Sequence, residues 1–350
     1  MSTVASREGV VTRGMDGPAW ERFLADQPGA RLYHHPRWIG LTEEHFRHRA
    51  FHLQAEVDGR LEGVLGLIRM RSRLFGDFLI SLPFVNYGGV VAASDDARRL
   101  LCTEAARLAQ ELDVSHLELR DTVPVPDGDW PERTDKVAMV LDLDGDAAAL
   151  WQSLGSKLRA QVKRPRKEGA QARVGGIELL DDFYRVFAEN MRDLGTPVYG
   201  RGWFRRVLET FPDQARIAVV HLDDEPAAAG FLLDTGHGTL EIPWASSLRR
   251  FNRVGVNMLL YWTVLEHACE AGYKRFDFGR SSRDAGTYRF KKQWGAVERP
   301  LVWSYWIKGG GEPPRINPSN PKYDLAIRAW QHLPVAVTRV IGPPIVRNIP

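Results

Sequence analysis

Between Phe276 and Gly295 the chain reads FDFGRSSRDAGTYRFKKQWG, which gathers a carboxylate, a tyrosine and two adjacent lysines into one short stretch. The alternation Phe276-Asp277-Phe278 predicts a strand with both rings on one face and Asp277 on the other. Gly279 is expected to end that strand and permit a tight exit. A polar loop from Arg280 to Thr287 follows, with Gly286 at a special backbone position. Phe290 and Trp294 are four residues apart and would share one face of a short helix, with Lys291 elsewhere on it. Two adjacent lysines alone read as a solvated face. Set between two aromatic anchors after an Asp-Phe-Gly strand end, Lys291 becomes a candidate for chemistry together with Asp277 and Tyr288.

Two further cationic features stand out. Lys157, Arg159, Lys163, Arg164, Arg166 and Lys167 crowd one helical segment. Such a run is either a solvated helix face or a contact for phosphates, with Lys157, Arg159 and Lys163 as the contact candidates. Pro165 should kink or break the helix and spread the charges. No aromatic residue lies between Lys157 and Val174, so base stacking is not indicated there. The segment RRFNRVGV, residues 249–256, precedes a helical pattern. Its Arg250, Arg253 and Gly255 would suit an anion at a helix N-terminus, although an ordinary basic loop stays open.

Other chemistries lack their signatures. There is no GxSxG elbow, no HExxH and no P-loop. His34-His35 and the pair His45 and His48 have no partners at metal-site spacing. The two cysteines, Cys102 and Cys269, sit inside apolar helical patterns and read as buried thiols, so neither a metal site nor a disulfide framework is expected.

The elements that must position these residues fall into two similar halves and a tail. In the first half, Ala50–Val57 and Leu61–Met70 read as strands around an Asp58-Gly59 turn. Phe78–Val85 and Gly88–Ala92 extend the meander. A helix over Asp95–Leu112, capped by Ser94 or Asp95, precedes a strand over Ser115–Leu119. In the second half, Arg216–Leu222, Ala227–Asp234 and Thr239–Trp244 are strands, Val256–Ala271 is a helix and Lys274–Phe278 is the next strand. The recurrence suggests an internal duplication of one β-β-β-α-β unit. Ala147–Leu180 lies between the halves in a basic, helical register. Asp181–Met191 and Gly202–Phe211 are helix candidates. The tail contains one helix, Tyr323–Leu333, before a Pro-rich ending expected to be irregular.

Here the sequence resembles a known family. FDFGRSSRDAGTYRFKKQWGA is similar to the C-terminal signature of FemAB-like transferases, within the broader GNAT acyltransferase superfamily. LGSKLRAQVKRPRKEGAQARV, Leu154–Val174, resembles the basic helix before that family's second domain, and GTPVYGRGWF, Gly195–Phe204, is a third match. The tail NPSNPKYDLAIRAWQHLP resembles the subgroup associated with exosortase and PEP-CTERM systems of exopolysaccharide-producing bacteria. The resemblance covers residues 150–333 well and the first half by pattern only.

The resemblance implies an α+β fold of two tandem GNAT-like domains, with mixed, mainly antiparallel sheets flanked by helices and a Pro-rich C-terminal tail. The expected domains are 1–146, 147–308 (opening on the basic helix 150–174) and the tail 309–350. It implies transfer of an acyl or aminoacyl group to a primary amine of a cell-envelope or exopolysaccharide-related acceptor. By position, Lys291 matches the family lysine that stabilises the oxyanion, a role worth about 100- to 1000-fold in rate. Asp277 would take a proton or orient a neighbour. Arg280 and Tyr288 are expected on the substrate, with Trp244 and Tyr199 lining its site. The implied donor is acyl-CoA or aminoacyl-tRNA, with no tightly bound cofactor. The segment at Arg253 lacks the full two-glycine pyrophosphate pattern, so the donor stays open. A non-catalytic scaffold of an exopolysaccharide or protein-sorting system is the alternative.

The 350 residues, 44% hydrophobic and 26% charged, are enough for two globular domains. A net charge of +3 is too small for global steering of a polyanion, so any tRNA contact must be local. No stretch reaches the ~18 apolar residues of a membrane span, and the N-terminus lacks a signal-peptide core. A cytoplasmic protein with at most peripheral membrane contact is expected.

Overall fold

The structure, a computed structural model, describes residues 9–73, 75–126, 128–314 and 321–350. The chain divides into two compact units, residues 9–137 with 299–314 and 348–350, and residues 138–298 with 321–347.

The first unit opens with β1 (Gly9–Arg13), α1 (Gly17–Asp26) and α2 (Pro36–Phe46). It continues through β2 (Arg49–Val57), β3 (Arg60–Ser72), β4 (Gly76–Ile80), the short β5 (Val91–Ala92), α3 (Asp95–Glu111), β6 (His116–Asp121) and β7 (Glu132–Arg133). Strands β2, β3 and β4 form an antiparallel meander, and β6 returns parallel to β4 after the α3 crossover. Ser94 caps α3 by accepting the Ala97 amide. The apolar stripe of α3, with Leu101, Ala105 and Leu108 on it, closes the core over Leu53, Leu65, Leu67 and Leu117. Cys102 is buried in this core, and burial pushes its thiol up to about 12; Cys269 is half-buried.

The second unit repeats that order. It contains β8 (Lys136–Asp142), α4 (Ala147–Ser153), α5 (Ser156–Lys167), β9 (Gln171–Gly175), α6 (Leu180–Leu194) and α7 (Arg201–Thr210). Then come β10 (Ala215–Leu222), β11 (Glu225–Gly236), β12 (Thr239–Ser247), α8 (Val256–Glu270), β13 (Arg275–Ser282), α9 (Gly286–Lys292) and β14 (Val297–Pro300). Strands β10, β11 and β12 form the meander, and β13 returns parallel to β12. The sheet order is β14-β8-β13-β12-β11-β10-β9. The final strand, β15 (Val302–Ile307), belongs to the first sheet, where it lies between β6 and β7.

Three local expectations change. Residues 171–175, expected to be helical, form the edge strand β9, because Gly169 in the left-handed region ends α5 and β10 offers a free edge. Pro165 does not break α5, which runs two residues further. It falls in the last turn, and its buried ring packs inward, so little helix remains to be disrupted. The ending is not irregular. After α10 (Pro321–Gln331), α11 spans Val335–Val346 despite Pro343 and Pro344. It is held by tertiary contact: Gly342 lies against the Val198 backbone, and the Arg192 guanidinium on α6 donates to the Leu333 carbonyl. Residues 317–320, which open the tail motif, lie outside the described residues.

Candidate active site

The site is built where two parallel strands part. Strands β12 and β13 pair only at Thr239–Arg275, Leu240–Phe276 and Glu241–Asp277, and then diverge. One cause is visible in β12. Its register against β11 slips between Trp244 and Glu241, so that one extra residue is accommodated around Ile242-Pro243. Pro243 has no amide to give to a ladder, which makes a bulge its natural place in a sheet. A second cause lies in β13. Gly279 adopts φ +76, and its amide donates to the Asp277 carboxylate at 2.7 Å. That φ suits glycine and few other residues. The strand does not end there, as its sequence suggested, but bends and continues to Ser282.

Lys291 closes this corner from α9. Its ammonium donates to the carbonyls of Gly279, at 3.0 Å, and Arg280, at 2.9 Å. The side chain is buried, with 7% of its surface exposed. Burial pushes its pKa down to about 8, while the charges of Asp277 and Glu241 oppose the fall. Asp277 and Glu241 are themselves fully buried. A lysine this enclosed persists as a cation only because two carboxylates and two carbonyls face it. The aromatic support is as expected in kind: Phe276 and Phe278 are buried, and Tyr261 of α8 stacks on Phe278 and meets Phe290 and Trp294. Sequence reading missed Glu241. Its signal is a carboxylate two residues before a proline inside an apolar strand, in the run Leu240-Glu241-Ile242-Pro243-Trp244.

The other candidates distribute as follows. Trp244 and Tyr199 come together, with ring centroids 6.2 Å apart, on a cluster that includes Phe204 and Phe231. Asn190 donates to Ser246 beside them, at 3.0 Å. Arg280 is exposed and contributes its carbonyl to Lys291. Tyr288 is not gathered with Lys291: its hydroxyl donates to Glu298 at 2.6 Å, and Glu298 also takes Arg283. That bond raises the Tyr288 pKa.

On α5, Arg159 donates to the Gln152 carbonyl and Lys163 lies over the Trp151 ring at 5.6 Å, so both staple α5 to α4. Lys157 is exposed, while Arg164 pairs with Glu168 and Arg166 with Glu266. Of the loop before α8, Arg250 is held by Glu189 and Glu225, which occupies the guanidinium with carboxylates. Arg253 is exposed, and Gly255 is the left-handed N-cap of α8 with φ 84. This N-terminus retains the amide donors and partial positive charge that suit a phosphate. Among the described residues, no cluster of histidine, cysteine or carboxylate side chains is arranged to hold a metal ion.

The short parallel pairing, the bulge and the crossover helix together define the fold, and the comparison with known families agrees. The family model for an acetyltransferase (GNAT) domain matches residues 156–292. That stretch has the GNAT fold. It contains β12, β13, α8 and Lys291, and the match ends with the helix that carries the lysine. No curated protein matches the chain significantly. Among solved structures, the chain is similar to FemX, with a TM-score of 0.66 at 14% identity over 86% of this chain and 97% of that one. It is also similar to the C-terminal domain of a putative lysylphosphatidylglycerol synthetase from Agrobacterium fabrum, with a TM-score of 0.57 at 14% identity over 84% and 92%. A tandem GNAT protein from the clavulanic acid biosynthesis pathway gives 0.53 at 14% identity over 87% and 100%. At these identities the likeness is one of fold. The GNAT domain and the two mixed sheets flanked by helices agree with the architecture expected from sequence.

Proposed function

We propose that the second unit is an acyltransferase that moves an acyl or aminoacyl group from an activated ester or thioester to a primary amine. The observation that carries this is the buried Lys291 ammonium at the point where β12 and β13 part, backed by Asp277 and Glu241. The amine nitrogen attacks the donor carbonyl and a C–N bond forms. The C–S or C–O bond then breaks, and the proton lost by nitrogen ends on the departing sulfur or oxygen. Negative charge builds on the carbonyl oxygen in between, and a fixed cation in a dry site stabilises it. Lys291 takes that role. Asp277 acts as an organiser, because one of its oxygens is committed to the Gly279 amide. Glu241 holds the lysine charged.

The donor's phosphate group sits at the N-terminus of α8, against Gly255 and Arg253. Tyr199 and Trp244 line the acyl or acceptor side. The GNAT match supports acyl-CoA as donor, while the likeness to a synthetase named for lysylphosphatidylglycerol supports an aminoacyl donor. The acceptor proposed is an amine-bearing envelope or exopolysaccharide-related molecule, in line with the resemblance of the tail to the exosortase-associated subgroup.

The experiment is turnover of Lys291→Ala with acyl-CoA and with aminoacyl-tRNA, alongside its thermal unfolding. A loss of about 100-fold or more in a folded variant is expected. Full activity in that variant would overturn the role. The donor is read from which of the two raises the melting temperature of the unaltered protein.

A further inference from the structure

We propose that α10 and α11 form a clasp that fixes residues 195–200, and Tyr199 with them, which makes Arg339 and Gly342 positioning residues for the acceptor amine. This rests on the proposed placement of Tyr199 and Trp244 against a substrate. It goes further in naming the amine as that substrate and the tail as what sets its fit.

Residues 195–200 join α6 to α7 without regular structure. Backbone of that kind keeps one shape only where its surroundings impose it. Contacts from the tail do so along the whole segment. At its start, Gly195 faces Ile327 of α10, and a Cβ there would run into the Ile327 side chain and come within 3.2 Å of its carbonyl oxygen. In the middle, Val198 is buried and lies against α11, where a Cβ at Gly342 would come within 3.1 Å of the Val198 carbonyl oxygen. At its end, Gly200 faces the ring of Pro343. Both helices are tied to α6 as well. The Gln331 side-chain amide donates to the Asp193 carbonyl at 3.1 Å, and Arg192 donates to the Leu333 carbonyl at 3.1 Å. The Arg339 guanidinium lies over the Tyr184 ring, 5.3 Å from its centroid.

Tyr199 is where the clasp reaches the site. Its ring meets Trp244 edge-on at 6.2 Å and Phe204 at 6.3 Å. Trp244 belongs to β12, the strand that also carries Glu241. The clasp therefore sets where the Tyr199 ring stands against β12. The donor has its own anchor at the N-terminus of α8, so the side that Tyr199 lines is left for the amine. Lys291, Asp277 and Glu241 are carried by α9, β13 and β12, not by the tail. A loosened clasp changes how the amine is held and leaves the transfer step as it was.

The test uses the full chain with substitutions in α11. Hydrogen exchange, followed peptide by peptide, needs no substrate. Arg339→Met keeps a long apolar side chain and removes the charge over Tyr184. Amides of residues 195–204 should then exchange about two- to fivefold faster, with those of β10 and β11 unchanged, and Arg339→Lys should restore most of the difference. Unchanged exchange in 195–204, or equal acceleration in β10 and β11, overturns the proposal. Turnover with acetyl-CoA as donor and glucosamine as probe amine reads the effect on the site. Gly342→Ala should raise KM for the amine by about tenfold and leave kcat and the KM for acetyl-CoA within about twofold. A lower kcat with an unchanged amine KM overturns it too. Lys291→Ala should leave exchange in 195–204 unaltered, so a failure of the transfer chemistry and a failure of the clasp appear in different measurements.

Discussion

Lys291 sits where burial and charge pull in opposite directions, and that conflict is measurable. With its folded pKa near 8 and its ordinary value at 10.5, the unfolded chain holds a proton that the folded chain releases between those limits. Stability contributed by this group therefore rises with pH across that window, by on the order of 2–3 kcal/mol, and is flat below it. Urea unfolding at pH 8 and pH 10 should show the rise, and Lys291→Met should remove it. The same titration shapes catalysis. If the ammonium is the working form, activity falls above about pH 8, and Lys291→Arg moves that limb upward while retaining part of the rate. Glu241→Gln removes a charge that favours the ammonium, so the limb should shift to lower pH; an unchanged profile would remove Glu241 from the site.

At the scale of elements, the site depends on two departures from regular strand. The slip at Ile242-Pro243 and the left-handed Gly279 bend β12 and β13 apart, and without them the ladder would continue past Glu241 and Asp277. The tail is a second such element. A Cβ at Gly342 would lie 2.9 Å from the Val198 amide nitrogen, a backbone atom that cannot step aside. Gly342→Ala is expected to cost about 1–3 kcal/mol by overpacking, read as a lower urea midpoint. Gly200→Ala, whose nearest neighbour is a Pro343 carbon at 3.6 Å, should stay within about 1 kcal/mol of the unaltered protein.

For the whole molecule, the chain path matters more than the sequence order. Strand β15 lies beyond the second sheet in sequence yet belongs to the first, between β6 and the short β7, pairing with β6 from Val302–Asp121 to Ile307–His116. Its Val302, Trp303 and Tyr305 are buried, so a fragment of residues 1–137 would lack an interior strand and expose β6 as an edge. That fragment is expected to give no cooperative thermal transition. A fragment as cooperative as the full chain would show that β15 is dispensable.

Much of this was legible beforehand. Alternation and turn residues marked the meanders, the 3.6-residue period marked α3, α6, α7 and α8, and the aromatic-lysine run marked α9. These signals are local: each depends on residues within one or two turns of one another. Glu241, β9, β15 and the docked α11 were not legible. A buried carboxylate looks like an exposed one until its partner from another element is in place. An edge strand of five residues has too little pattern to outweigh its basic neighbours. A proline-bearing helix forms only because α6 and Val198 hold it. The sequence by itself determined the recurring β-β-β-α-β order and the identity of Lys291 as the residue to test. Only the tertiary structure decided that Asp277 and Glu241 flank that lysine, that Arg250 is held by carboxylates while Arg253 is exposed, and that Tyr288 turns to Glu298. Burial and pairing are set by residues distant in the chain, and no local pattern encodes them.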